Sequence, residues 1–233
     1  MRGCLSVLVL GAVFLGALVW FGGPPVASAV VTSALRGSGL AANQLDVEVT
    51  ADPPLIIVEG RADRVTIHAT GASWKGVAIA SLELTLDSVD LLARSAASAN
   101  GRLGSVQLDA QDRQPVLGDV ELTGSTSAAK TTIQLDAAGL EPIAATAFET
   151  EFGIRPSSVT LVTPDIIRVT LGPRLVDATL KVDADGSVVA VANGASIVLF
   201  TPNPALPIHL TGLTASLTRL TLHGTFDVGK LLR

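Results

Sequence analysis

Alternation of apolar and polar residues with a period of two predicts that most of the chain after residue 44 forms β-strands. The clearest example is the segment Ile79–Leu91, in which Leu82, Leu84 and Leu86 share one side of a strand. Acidic residues and threonine alternate with these leucines and share the other side. This is the pattern of a sheet with one dry face and one wet face. Similar short segments, separated by glycine and proline, indicate about ten strands in all.

Helical spacing appears clearly at one internal position, Leu140–Phe152. Apolar residues there form one stripe that includes Phe148 and Phe152, and Gly153 follows as a helix-ending residue. A shorter helix is expected over Val30–Leu40. Many strands with one or two helices predict an α+β chain that is mainly β, with antiparallel meanders.

Two other segments are harder to interpret from their pattern. Leu92–Gln114 is dense in alanine, serine and glycine, so it is interpreted as a loop or a poor helix with a short strand near Val106. Asp183–Gly186 superficially resembles a calcium loop, but it lacks the later glutamate that such a loop needs. Since Asp-Gly between two strand-like segments is a hairpin signal, a turn is expected there.

The N-terminus carries an apolar run, Leu5–Phe21, of seventeen residues without charge. A helix of that length is about 25 Å long, enough to span a thin hydrocarbon core. Glycines and prolines follow, and then Ala27-Ser28-Ala29, which resembles a signal-peptide cleavage site. The segment 1–29 is therefore either a cleaved signal peptide or a retained signal anchor. Either interpretation places the domain at residues 30–233 outside the cytoplasm, in the periplasm or cell envelope.

Composition narrows the possible functions. The chain has a net charge of −5 and 16% charged residues, so a basic patch for nucleic acid is not expected. No cluster of lysine and arginine is present to hold anionic head groups, so any contact with lipid must be mainly apolar. The single cysteine, Cys4, precedes the apolar run, and disulfides are therefore excluded from the exported domain.

Residues with catalytic or metal-binding chemistry are scattered. The three histidines, His68, His209 and His223, each lack a second ligand at the spacing of a metal site. No nucleophile elbow, phosphate-binding loop, zinc-protease motif or dinucleotide fingerprint is present. The sequence therefore predicts no catalytic residues, no metal and no cofactor.

Trp74 and Lys75 lie together in a turn, within the glycine-flanked segment Gly71–Gly76. A tryptophan beside a lysine could dip into a membrane interface, or it could cap the core of a hairpin. We prefer the cap, because isolated exposed aromatic residues are ordinary and need no membrane to explain them.

The stretch from Pro54 to Leu91 resembles the signature of the LmeA-like phospholipid-binding proteins of the actinobacterial cell envelope. The similar features are Pro54-Leu55, Gly60-Arg61, a strand around Val65, a glycine turn and an amphipathic strand that runs to Val89. The phenylalanine that usually follows the proline is absent here. The resemblance implies a protein that binds phospholipid at the membrane, in an apolar groove of a long curved antiparallel sheet wrapped on one or two helices. It also implies a role in maintaining envelope lipids or lipoglycans.

If such a groove exists, the dry strand faces and the helix stripe supply its wall. The lining candidates are Leu82, Leu84, Leu86, Phe148, Phe152, Val169 and Leu171. Head-group contacts are expected from Arg61, Arg64 or Lys75, near the same region. Two alternatives stay open: a structural or interaction domain with a solid core, and an envelope enzyme that acts on glycans or lipids.

Overall fold

The structure, a computed structural model, describes residues 26–109 and 115–230. The apolar run Leu5–Phe21, predicted to be an export segment, lies outside these residues. None of the helices within the two described ranges is long and apolar enough to cross a membrane. The expected boundary at residue 29 stays a prediction, and in the fold it falls inside a helix, α1, that occupies residues 26–37.

The mainly β fold predicted from the sequence is confirmed, and the described residues form two helices and two antiparallel sheets. The second helix is α2 (Ala137–Phe152). The strands are β1 (Leu40–Thr50), β2 (Arg61–Trp74), β3 (Val77–Asp90), β4 (Ser95–Gln107), β5 (Leu117–Ser125), β6 (Ala129–Asp136), β7 (Ser158–Val162), β8 (Ile166–Leu171), β9 (Arg174–Val182), β10 (Val188–Ala192), β11 (Ala195–Phe200), β12 (Ile208–Ala215) and β13 (Arg219–Phe226). Short 3₁₀ turns lie at Pro54–Ile57 and Val228–Lys230.

The larger sheet has eight strands in the order β1-β2-β3-β4-β5-β6-β13-β12. It is curved but not closed, since its edge strands β1 and β12 do not pair with each other. The other five strands, in the order β11-β10-β9-β8-β7, form a smaller second sheet that the sequence pattern did not separate from the first. Both sheets are meanders of adjacent hairpins, as the short connections of the sequence favour.

The alternation in β3 produces the dry face that the sequence predicts. Leu82, Leu84 and Leu86 are each at most 5% exposed, and Ile67 of β2 stands directly opposite Leu84. Glu83 and its polar neighbours on the opposite face are exposed or half-buried. One face of β2 and β3 therefore belongs to the core and the other to solvent, as expected for an antiparallel sheet with one solvated side.

Within Leu92–Gln114, the interpretation of the alanine- and serine-rich part as a loop or poor helix is wrong, whereas the short strand expected near Val106 belongs to a longer one. The structure places β4 over Ser95–Gln107, paired with β3 on one side and β5 on the other, and residues 110–114 lie outside the described residues. The buried residues of its first half, Ala96 and Ala99, are small, and Gly101 has no room for a side chain, because a Cβ there would overlap the carbonyl oxygen of Glu83. Close strand approach selects small residues at these positions, and small residues carry little hydrophobic pattern.

The helix expected over Leu140–Phe152 is confirmed and belongs to the smaller sheet. α2 packs against β7 and β11, and it buries Leu140, Ala144 and Phe148. Gly153 ends it in a left-handed conformation with φ 69°, and its N–H donates to the carbonyl of Glu149. The apolar residues of both sheets and both helices join in one core cluster. The short helix expected over Val30–Leu40 corresponds to α1, which ends at residue 37, so that β1 begins at Leu40.

The two phenylalanines of α2 give a matched test of this packing. Phe148 is fully buried, whereas Phe152, one turn later, is 38% exposed and stacks on Phe148 at 6.0 Å between ring centroids. We expect Phe148→Ala to lower the free energy of unfolding by about 3–5 kcal/mol, because it leaves a cavity in the core. Phe152→Ala should cost less than about 1.5 kcal/mol, mainly through the lost ring contact. Urea unfolding of both variants measures the difference, and equal losses would contradict this placement of α2.

Candidate functional site

An apolar cavity of about 50 Å³ lies between α1 and the dry face of β2 and β3. The residues that line it are Val30, Val31, Ala34, Leu35, Val65, Leu86, Val89, Asp90, Leu91, Arg94 and Ser95. The four from α1 repeat at helical spacing, so one face of α1 forms the roof of the cavity. The aliphatic residues of β2 and β3 form its floor. This partly open cavity has mainly aliphatic walls, which suit hydrocarbon.

The polar residues of this cavity lie together at one end, in the turn between β3 and β4. Asp90 is fixed there, since one of its carboxylate oxygens accepts hydrogen bonds from the backbone N–H groups of Leu92 and Ala93, at 3.0 and 2.7 Å. Arg94 follows in the left-handed region, with φ 51°. The cavity thus has an apolar interior and a charged end, which is the polarity of a phospholipid.

The predicted lining residues are distributed over both sheets. Leu82, Leu84 and Leu86 lie on β3, Val169 and Leu171 on β8, and Phe148 and Phe152 on α2. All of them except Phe152 are buried in the common core, but only Leu86 lines the cavity beneath α1. Their assignment to one lipid groove stays a prediction.

The head-group candidates belong to the two ends of β2. Arg61 is its first residue and Arg64 its fourth, whereas Lys75 follows its last residue. Their assignment to one head-group site stays a prediction. Arg64 also belongs to the wet face, where its Nε donates to Asp87 at 2.9 Å. The pairing register of β2 decides at which end of the strand, and on which face of the sheet, a charged side chain lies. The sequence did not reveal this register.

Sequence reasoning missed Arg94 and the inner face of α1. Arg94 is the only cation between Leu91 and Gly101, a signal that was available but lay in the segment interpreted as a loop. For α1, the i, i+4 pair of Val31 and Leu35 was a weaker signal, because a single pair on a short helix is common.

A larger open groove, of about 680 Å³, lies at the other end of β2. Trp74 and Lys75 form one wall, and the segment 204–209 with Lys230 forms much of the rest. Trp74 is 2% exposed, so the prediction that it caps a hairpin core is confirmed. Its Nε1 is buried and has no hydrogen-bond partner among the described residues, while the Lys75 Nζ lies 4.7 Å from the ring centroid. The indole is therefore held by packing and by a cation–π contact.

The wet face of the larger sheet carries another concavity, of about 650 Å³, lined almost entirely by polar side chains. Across it, His68, Glu83, Arg102 and Glu121 stand opposite one another on β2 to β5. Arg102 donates to Glu121 at 2.6 Å, but both side chains are about half exposed, and such surface pairs contribute little to stability. Water can fill this concavity. Its polar lining provides no apolar surface for an acyl chain.

The turn predicted at Asp183–Gly186 is confirmed and joins β9 to β10. Gly186 has φ 84°, and the N–H of Asp183 donates to the carbonyl of Ser187 at 2.8 Å. Hydrogen bonds from the Ser187 N–H and then from its hydroxyl hold the pKa of Asp185 below its ordinary value. Within the described ranges, no three histidine, cysteine or acidic residues form a group that could hold a metal ion.

A family model described as LmeA-like phospholipid-binding matches residues 19–225. The chain belongs to this family. The match includes both helices and nearly all of both sheets, so it covers the α1 cavity and most of the groove at Trp74, whose residues Asp227 and Lys230 lie beyond it. No curated protein and no solved structure gave a significant match to the chain. Binding of phospholipid is therefore supported by the LmeA-like family itself, whereas the site must be argued from the geometry.

Lys75, a predicted head-group residue, has a structural role that can be measured in this LmeA-like chain without lipid. Lys75→Met keeps the aliphatic stem but removes the charge above Trp74. We expect it to lower the free energy of unfolding by about 0.5–1 kcal/mol, the usual size of an exposed cation–π contact. Lys130→Met, on the wet face, is the matched control and should change stability less. Urea unfolding of the lipid-free protein measures the free energy of unfolding of both variants. Equal effects of the two substitutions would contradict the cation–π contact.

Proposed function

We propose that this chain is an extracytoplasmic phospholipid-binding protein, tethered to the cytoplasmic membrane, that helps to maintain envelope lipids or lipoglycans. It acts by binding rather than by catalysis, and its partners are phospholipid and the membrane, with no role in binding nucleic acid. The membership of the LmeA-like family over residues 19–225 supports phospholipid as the ligand. The observation that carries the site is the apolar cavity beneath α1, with Asp90 and Arg94 at one end.

In this proposal an acyl chain lies between α1 and the dry face of β2 and β3. The aliphatic residues of both surfaces contact the chain, and Arg94 contacts the phosphate from the turn between β3 and β4. An arginine suits this role, since its guanidinium is always charged and its planar fork matches the oxygens of a phosphate. The neighbouring carboxylate of Asp90 is already engaged by two backbone N–H groups, so it shapes the turn that presents Arg94.

The size of the cavity implies that α1 moves. Pockets for ligands of this size usually have roughly 300 Å³ or more, whereas the cavity has about 50 Å³. An acyl chain therefore enters by displacing α1 from the sheet. The described part of α1 has only twelve residues. A helix that short is marginal by itself, and its position depends on the apolar surface that it covers.

Retention of the N-terminal segment is supported by the position of α1. A signal peptidase cut after Ala29 would divide this helix and remove Ala27, which is 4% exposed and part of the core cluster. A retained anchor leaves the helix whole. It also holds the cavity beside the bilayer from which lipid is taken.

A structural or interaction domain with a solid core is the second candidate. The same small cavity favours it, because an interior filled by side chains needs no ligand to be stable. The two candidates differ in one measurable property, which is whether phospholipid is bound by the purified full-length chain.

Filling the cavity tests its role. Ala34 lines the cavity, and Ser33 beside it is exposed and does not. We expect Ala34→Phe to lower the phospholipid content of the purified full-length protein about fivefold or more, which corresponds to roughly 1 kcal/mol of binding free energy. Ser33→Phe, the matched control, should leave it unchanged. Mass spectrometry of extracted lipid gives the content, and circular dichroism verifies the fold.

The possible failures have different meanings. Wild-type protein that is reproducibly free of lipid, and that takes up none from phosphatidylglycerol or phosphatidylinositol vesicles, would favour the solid-core domain. Lipid present equally in the wild type and in Ala34→Phe would keep phospholipid binding but remove it from the α1 cavity.

A further inference from the structure

Exposed apolar side chains are concentrated at one end of the larger sheet. Eleven large hydrophobic residues within the described ranges are exposed, and five of them belong to segments that meet at this end. These five are Val26 (65%), Val30 (55%), Leu55 (57%), Val58 (71%) and Leu92 (81%). We call them the apolar tip. Several large apolar side chains exposed together to water cost free energy. A contiguous apolar surface therefore often marks the place where a partner or a membrane binds.

Backbone contacts hold the segments of the apolar tip together. The 3₁₀ turn after β1 runs into Gly60, whose N–H donates to Ile57 at 2.9 Å. The carbonyl of Gly60 accepts the N–H of Leu91 at 2.7 Å, which joins this turn to the turn between β3 and β4. Leu92 packs so closely on Gly60 that a Cβ there would overlap its side chain. Leu55, Val58 and Leu92 therefore project from one rigid corner.

α1 brings the other two residues to the same corner. Val30 lines the cavity together with Leu91 and Arg94. Val26 precedes Val30 by four residues, so it lies on the same side of α1, one turn nearer to the N-terminus. The N-terminal end of α1 thus lies beside the turns that carry Leu55, Val58 and Leu92.

The chain that precedes α1 identifies what covers the apolar tip. Leu5–Phe21 is uncharged and long enough to span a thin hydrocarbon core. Only four residues separate Phe21 from Val26, and a fully extended chain of this length reaches at most about 18 Å. With that run in the bilayer, as the proposed function requires, Val26 at the N-terminal end of α1 cannot lie farther than this from the end of the membrane segment, and the rest of the apolar tip lies beside that end of α1.

The charges around the apolar tip are mixed. Arg61 and Arg94 are the cations at this end, and the acidic residues are Asp52, Glu59, Asp63 and Asp90, with Asp63 accepting the N–H of Asp52 at 2.6 Å. The acidic residues outnumber the cations, so anionic head groups provide no net attraction and apolar contact has to provide the docking. A surface of this kind should respond weakly to the charge of the lipid.

We propose that the apolar tip docks in the interfacial layer of the bilayer and thereby places the mouth of the α1 cavity against the lipids. The inference rests on the proposed function for its retained anchor, and it adds the surface and the orientation. Leu55, Val58 and Leu92 enter the head-group boundary, and Arg61 and Arg94 lie at the level of the phosphates.

Site-specific labelling of the full-length chain tests this orientation. Cys4→Ser first removes the natural cysteine, and then Val58→Cys or Leu92→Cys carries an environment-sensitive fluorophore. Leu175→Cys and Leu217→Cys are the controls, because these residues are similarly exposed, at 62% and 76%, but lie elsewhere: Leu175 near the start of β9 and Leu217 in the turn between β12 and β13. Each protein is reconstituted in phosphatidylcholine vesicles, with and without phosphatidylglycerol, and with nitroxide-labelled lipid as the quencher.

Docking predicts a blue shift and quenching by the lipid nitroxide for labels at residues 58 and 92, of similar size in both kinds of vesicle. Labels at residues 175 and 217 should stay at the emission of water. If all four labels stay aqueous while the protein floats with the vesicles, docking of the apolar tip is overturned but the anchor stands. Four equal shifts, or a shift that needs phosphatidylglycerol, would also overturn it. The phospholipid content of the same variants, measured separately, reports on the proposed function.

Discussion

The rest of the structure depends on the burial of the dry face of the eight-stranded sheet. The chain has one cysteine, so no disulfide within the chain supports the fold, and its stability comes from apolar contact. Each fully buried leucine or valine of β2 and β3 contributes roughly 1.5–3 kcal/mol relative to exposure. The larger sheet has to be covered along its whole length, and α1 covers it at β2 and β3.

The dry face beneath α1 could be covered either by the helix or by an acyl chain. Aliphatic side chains of β3 gain nearly the same free energy from an aliphatic helix face as from an acyl chain, since hydrophobic burial is not directional. In the lipid-free protein α1 lies on this part of the sheet and leaves a cavity of only about 50 Å³. Under the proposed function, lipid binds in the same place, so helix and ligand would compete for one apolar face.

The sequence predicted the fold where side chains are large and failed where they are small. β3 was recognisable because leucines alternate with charged residues, and α2 because its stripe includes two phenylalanines. β4 was missed, since the residues that allow close approach of its neighbours are alanine, serine and glycine. The division into two sheets was also beyond the pattern, because alternation identifies strands and not their partners.

The candidate site was less predictable than the fold for the same reason. Leu86 was assigned correctly to a buried apolar surface, but its contact with α1 depends on where the helix crosses the sheet. Arg64 carries the positive charge that a head group needs, but it lies on the solvated face of the sheet. Arg94 was overlooked because the composition of its segment was interpreted as that of a loop. Register and turn geometry decide such contacts, and both are properties of paired strands.

α1 connects three features that would otherwise be independent. It follows the apolar run Leu5–Phe21 in the sequence, it forms the roof of the cavity, and its first turns belong to the apolar tip. In the proposed arrangement a membrane segment fixes its N-terminal end and β1 fixes the other, so α1 can leave the sheet only by a small displacement. That displacement would widen the cavity at the end where Arg94 lies, which is the end proposed to face the bilayer. The proposed anchor and the charge of Arg94 therefore point to the same entrance, although they come from segments more than fifty residues apart.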